Sequence, residues 1–261
     1  MIGVCQVKKV LKVLRVITAI AAFAGAVAFV LERIDEVKRR KRKNAHKPRG
    51  IYERFLKRPL DCSLSTGALI VLSPILLVLT AVGAVEMGGN PFFTQLRPGR
   101  DGKIFKLIKF RSMNNKKDKN GNLLPDKERL TKYGKWIRST SLDELPELFN
   151  IVKGDMAIIG PRPLAVEYLP YYNEQERHRH DVRAGLTGLA QVNGRNALQW
   201  EDRFRYDVEY VENITPAMDL KILFKTVEKV WKKEDVVICG QGITMDFDAY
   251  RRQQMQEACE S

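Results

Sequence analysis

The feature that most constrains this chain is Cys62 to Val85, twenty-four consecutive residues without a charge, with Ser73-Pro74 at the centre. A helix needs roughly 20 apolar residues to cross a bilayer, so the run is long enough to enter one. Proline lacks a backbone donor and its ring crowds the preceding turn; a bend is expected at Pro74, with Ser73 placed to satisfy a freed carbonyl. Both flanks are basic. Arg54, Lys57 and Arg58 precede the run, and Arg97, Arg100, Lys103, Lys106, Lys109 and Arg111 follow it. A straight span would strand one cluster on the wrong side of the membrane. The charge pattern therefore favours a re-entrant helix that enters, breaks at Ser73-Pro74 and leaves by the same face, over an ordinary proline-kinked span.

A second uncharged run, Val16 to Leu31, is slightly short for a span, although Arg15 can snorkel and extend it. A signal peptide is the rival reading, but the basic tract Lys38-Arg-Arg-Lys-Arg-Lys43 directly behind it argues against export. By the positive-inside rule that tract is cytoplasmic, leaving a short N-terminus outside if the helix crosses. Residues 44 to 50 read as a linker. Lys and Arg outnumber Asp and Glu 45 to 31, a net charge of +14, and residues 32 to 58 alone hold twelve cations against four acids. More than half of the excess is local and lies between two apolar runs. A patch so placed points to anionic lipid headgroups more than to nucleic acid, for which no zinc-finger, RNP or helix-turn-helix pattern competes. Cys5, Cys62, Cys239 and Cys259 are scattered without a Cys-x-x-Cys pair, which fits a reduced compartment. His46, His178 and His180 sit among charged residues and read as solvated.

Past Gly88-Gly89 the pattern changes to short strands, Phe92 to Leu96 and Lys103 to Lys109, joined by the turn Arg97 to Gly102. Asn114 to Asp126 reads as a loop and Glu128 to Arg138 as a short helix. Then comes the densest polar stretch, Arg138-Ser-Thr-Ser-Leu-Asp-Glu144, feeding an amphipathic pattern of Leu145, Leu148, Phe149 and Val152 that Gly154 ends. Asp143 and Glu144 thus fall at a helix start, where unpaired N–H groups favour an acid or a bound phosphate. Ser141-x-x-Glu144 equally fits a capping box, and Pro146 leaves open whether Ser141 or Asp143 caps. Arg162 lies between Pro161 and Pro163, a rigid setting for a guanidinium. Leu164 to Arg183 is polar and partly helical, broken at Pro170. Ala184 to Asn196 supplies glycines for close backbone approach and Arg195 as a phosphate candidate. Asp219 to Lys233 is amphipathic and suits either a lipid surface or a half-solvated core helix. Residues 234 to 261 carry no pattern.

Ser73-Pro74, Lys109-Phe-Arg-Ser-Met113, Arg138 to Glu144, Lys153-Gly-Asp-Met156, Gly160-Pro-Arg-Pro163 and Leu189 to Asn196 occur in this order. Together they resemble the bacterial sugar transferases, specifically the small monotopic phosphoglycosyl transferases of the PglC type, over roughly Tyr52 to Lys233. Ala184 and Leu189 stand where that pattern has proline and tryptophan. The resemblance implies transfer of a phosphosugar from a UDP-sugar to a polyprenyl phosphate at the cytoplasmic face of the bacterial inner membrane. It carries Asp143 over as nucleophile and as a ligand of Mg2+, with Glu144 assisting. It also implies that Lys109, Arg138, Arg162 and Arg195 hold phosphates, and it allows a homodimer. A non-catalytic, basic membrane-peripheral anchor is the alternative. The fold expected is α+β and membrane-associated: a re-entrant helix-break-helix plus amphipathic interface helices and a small mixed globular catalytic domain. Its division is 1–50 N-terminal helix and linker, 51–87 re-entrant helix, 88–233 transferase domain and 234–261 tail.

Overall fold

The computed structural model describes residues 2–39, 46–194, 198–232 and 245–260. The basic tract beyond Arg39 and the phosphate candidate Arg195 lie outside the described residues. Two long apolar helices come first: α1 (Ile2–Arg39), then a π-helical turn at Tyr52–Leu56 that runs into α2 (Lys57–Met87). A hairpin follows, β1 (Phe92–Pro98) and β2 (Ile104–Phe110), paired antiparallel with Phe92 opposite Phe110. Next are α3 (Asp126–Arg129), α4 (Lys132–Ser139), α5 (Glu147–Lys153) and β3 (Met156–Ile159). After α6 (Glu174–Arg177), strand β4 (Ala184–Thr187) pairs parallel with β3, Met156 opposite Ala184. Short α7 (Leu189–Val192) leads to α8 (Trp200–Glu212), α9 (Pro216–Lys232) and α10 (Phe247–Glu260). Helices dominate and the sheets are two-stranded, so the α+β class holds.

Pro74 lies inside α2, and the Ser73 hydroxyl donates to the Ile70 carbonyl at 2.8 Å. That carbonyl is the one Pro74 cannot serve, four residues back, so the serine replaces the missing donor. Gly88 ends the helix in the left-handed conformation, φ 63°, which a Cβ would strain. Both halves of α2 pack on the same domain. Near its start, the Arg58 guanidinium donates to the carbonyls of Ile151 and Val152 at 2.6 and 3.0 Å, closing the end of α5. Ala68, Leu69 and Leu72 then cover a core of Phe105, Leu107, Leu148, Ile151, Met156 and Ala184. Further on, Leu79 joins Phe110, Tyr133 and Ile137 in a second cluster. The outward side of α2 is apolar and bare, with Val71, Leu77, Val78 and Val85 all more than 60% exposed.

Helix α1 is tied down as well. Glu32 is buried between Arg100 at 3.1 Å and Arg183 at 2.7 Å, and a Cβ on Gly25 would collide with Ser63, showing how closely α1 and α2 approach. By length and composition, Arg15–Ile34 and Tyr52–Met87 are each apolar enough to cross a membrane.

The structure corrects several readings of the sequence. The 128–138 helix is two pieces, because Thr131 leaves the helical path and caps α4 by accepting from Gly134 N. The tail is not featureless: Phe247 of α10 is fully buried among Tyr172, Trp200 and Phe204. His178 is exposed as expected, but His180 stands against the Tyr172 ring at 5.3 Å with Nε2 sealed from solvent. Burial first, and the neighbouring Arg179 charge second, push its imidazole down to about 3. An unfolded histidine titrates near 6.5, so between these values the unfolded chain binds the extra proton. Stability is therefore complete above about pH 6.5 and declines as pH falls toward 3, by up to about 1.4 kcal/mol per unit. Melting temperatures measured from pH 7 to pH 4 are expected to drop more gently in His180→Gln than in the parent; parallel curves would refute the assignment.

Candidate active site

The Asp143-Glu144 pair does not open the amphipathic helix. Ser141 adopts φ 55°, a left-handed conformation uncommon outside glycine, and makes no side-chain cap. It turns the chain into a separate 3-10 turn, Leu142–Glu144, and α5 begins only at Glu147, after Pro146. The proline explains the delay, since it has no donor to continue a helix begun earlier. The capping box is therefore not formed. Phe149, expected on the buried face of the helix, is 51% exposed, and Asn150 and Ile151 are buried in its place.

This arrangement gives the two acids different surroundings. Glu144 Oε1 accepts from Lys109 Nζ at 2.9 Å and from Arg162 Nη2 at 2.7 Å. Burial alone would raise its carboxyl, but the Arg162 and Lys109 charges overcome that and hold it far below the usual carboxylate range. Asp143 has no hydrogen bond or ion pair among the described residues and faces a cavity of about 420 Å³. Burial first, and the Glu144 charge second, push it up to about 6 against the opposing pull of Lys109, Arg138 and Arg162. One acid is a fixed counter-charge, and the other is free and of raised basicity. Such a split separates the roles of paired carboxylates.

The cations come from three elements. Lys109 is on β2 and also stands 3.0 Å from Glu147, whose carboxyl burial pushes up to about 7. Arg138, on the last turn of α4, donates from Nε to the Ser112 hydroxyl at 2.8 Å. Arg162 follows β3, where its backbone is held from behind: Arg179 Nη2 donates to the Arg162 carbonyl at 2.7 Å. Arg179 in turn is 2.7 Å from Asp207 of α8, and both are almost completely buried. The glycines of β4 and of the residue just after it make the close approach expected of them. A Cβ on Gly185 would sit 2.1 Å from Gly160 N, and one on Gly188 would sit 2.2 Å from Gly160 O.

Of the residues expected from sequence, Asp143, Glu144, Arg138 and Arg162 border one cavity, and Lys109 reaches it through Glu144. Sequence reasoning missed Glu147, Arg179, Arg203 and Asp207. A signal was available for Asp207: Trp200, Phe204, Asp207, Val208 and Val211 recur at helical spacing and are all buried, which places one acid on an apolar face where it needs a partner.

Among the described residues no group of three or more metal-ligating side chains converges. A single uncommitted carboxylate on a cavity lined by Arg138 and Arg162 nevertheless has the chemistry that suits Mg2+, which is commonly held by one or two carboxylates and by substrate phosphates.

A free carboxylate facing a cavity ringed by arginines suits group transfer on an anionic, phosphate-bearing substrate, and so points to a transferase. The chain belongs to the bacterial sugar transferase family, whose model matches residues 52–233. EpsL of Bacillus subtilis (strain 168), described as an uncharacterized sugar transferase, is 50% identical over 182 residues, covering 70% of this chain and 90% of that protein. The UDP-glucose:undecaprenyl-phosphate glucose-1-phosphate transferase of Klebsiella pneumoniae is 43% identical over 187 residues, 66% of this chain and 39% of that protein. The undecaprenyl-phosphate galactose phosphotransferase of Salmonella typhimurium is 38% identical over 199 residues, 69% of this chain and 41% of that protein. The chain thus spans about two fifths of the length of the last two relatives.

Proposed function

We propose that this protein transfers a phosphosugar from a UDP-sugar to a polyprenyl phosphate by two displacements through Asp143. The observation that carries the reading is the uncommitted Asp143 carboxylate beside a Glu144 already engaged by two cations. In the first step an Asp143 oxygen attacks the sugar-bearing phosphorus, and the bond to the UMP oxygen breaks with its electron pair leaving on UMP. In the second, an oxygen of the lipid phosphate attacks the same phosphorus and the carboxylate departs unchanged. Arg138 and Arg162 line the cavity where phosphate oxygens would lie, and Glu144 keeps Arg162 and Lys109 oriented. Mg2+, held by Asp143 and the donor's phosphates, would neutralise charge on the diphosphate.

The membrane disposition is part of the proposal. A straight helix the length of α2 would be about 46 Å long, and its two ends would emerge on opposite sides of a core of roughly 30 Å. Contacts from Arg58 and from Leu79 to one and the same domain favour entry and exit on a single face, with the bare apolar side of α2 in lipid. The basic residues near α1 and α2 favour the cytoplasmic face.

The test is UMP release from a panel of UDP-sugars, with polyprenyl phosphate, Mg2+ and sugar-phosphate-labelled donor. Turnover of at least one donor, with label trapped on the protein when lipid is omitted, is expected. A complete panel without UMP release would instead favour a basic anchor protein.

A further inference from the structure

The cavity has a second wall that the donor chemistry leaves unused. Leu223, Thr226 and Val230 of α9 line it, on the same cavity as Asp143 and Arg162. Leu223 and Val230 are also 38% and 40% exposed, so they face cavity and exterior together. They continue into Leu220, Phe224 and Val227, which are 54%, 72% and 60% exposed and form an apolar stripe along the helix. The other side of α9 is fixed inward by Ile222, 1% exposed, and by Asp219, which accepts from Tyr52, Lys57 and Tyr210. The helix therefore cannot rotate to hide the stripe. Thr226 Oγ1 is 2.7 Å from Thr187 Oγ1, which anchors the cavity side to the end of β4.

We infer that the α9 stripe, through Leu223 and Val230, is the groove along which the isoprenoid tail of the acceptor lies while its phosphate reaches Asp143. The chemistry selects this occupant: a cavity that is cationic at one end and apolar along a wall opening outward matches an amphiphile with one anionic head and one long hydrocarbon tail. A nucleotide sugar carries no long hydrocarbon chain that could follow the stripe outward past Leu220, Phe224 and Val227. The inference rests on the reading of a polyprenyl phosphate acceptor and adds which residues receive its tail.

The experiment compares the parent with Leu223→Ser/Val230→Ser in detergent micelles, using polyprenyl phosphates of two and eleven isoprene units. KM for the long acceptor is expected to rise roughly tenfold, the scale of two lost apolar contacts, with little change for the short one. Exchange of labelled UMP into UDP-sugar, which involves no acceptor, reports that the variant is folded. An unchanged KM for the long acceptor, or an equal rise for both lengths, would overturn the groove. If exchange is lost in the double variant, Leu223→Ala supplies the same comparison. Retention of radiolabelled long-chain polyprenyl phosphate by immobilised protein reads the contact without turnover. Retention that falls in the variant supports the groove even if no donor turns over, which would count against the transfer reading alone; equal retention overturns the groove.

Discussion

In Asp143→Asn, labelled phosphosugar should no longer be found on the protein, and UMP release should fall by about 10³-fold or more, as for removal of a covalent nucleophile. The substitution is isosteric and breaks no ion pair, because Asp143 has none among the described residues. Its carboxyl is pushed up to about 6, by burial first and by the Glu144 charge second, so at neutral pH the ionised form is held against both influences. A neutral amide removes that opposition, and the melting temperature of the variant is expected to equal or exceed the parent's. Loss of activity without loss of stability is the signature of a group kept for chemistry. Glu144→Gln should behave differently. It weakens the hold on Lys109 and Arg162, lowers stability, and still permits labelling of Asp143. Equal adduct in Asp143→Asn and parent, verified by intact mass, would remove Asp143 from the role.

How much of this site was legible in advance depends on the range of the interactions that build it. Arg138 and Glu144 stood out in the dense polar stretch 138–144, Arg162 between its two prolines and Lys109 in the motif 109–113, and the fold then brings them to one cavity. The hairpin and α9 followed from alternation and helical period, which are local signals. The placement of the carboxylates did not follow. A left-handed Ser141 and a proline at position 146 decide it, and the first is a conformation that a serine in a capping-box pattern does not signal. Phe247 was invisible for a related reason: an aromatic in a tail without periodicity acquires meaning only when Tyr172, Trp200 and Phe204 gather around it. Contacts of α2 with one domain along its length are likewise a tertiary fact, which hydropathy alone does not encode.

The same distinction between packing and chemistry sets the expectation for Arg179→Met. Arg179 spends its guanidinium on Asp207 at 2.7 and 3.0 Å, on the Tyr172 hydroxyl at 3.1 Å and on the Arg162 carbonyl at 2.7 Å. Removing it leaves Asp207 buried and unpaired, a loss of about 3–5 kcal/mol and a fall in melting temperature of roughly ten degrees. Arg179→Met with Asp207→Leu removes both charges, and buried pairs replaced by apolar side chains commonly regain most of the stability. The Arg162 carbonyl, however, still lacks its donor in the double variant. Stability should therefore return while UMP release stays depressed, by roughly 10-fold or more if Arg162 loses its setting beside the transferred phosphate. Recovery of both together would mean that the buried pair serves the fold alone and that the Arg162 loop keeps its position unaided.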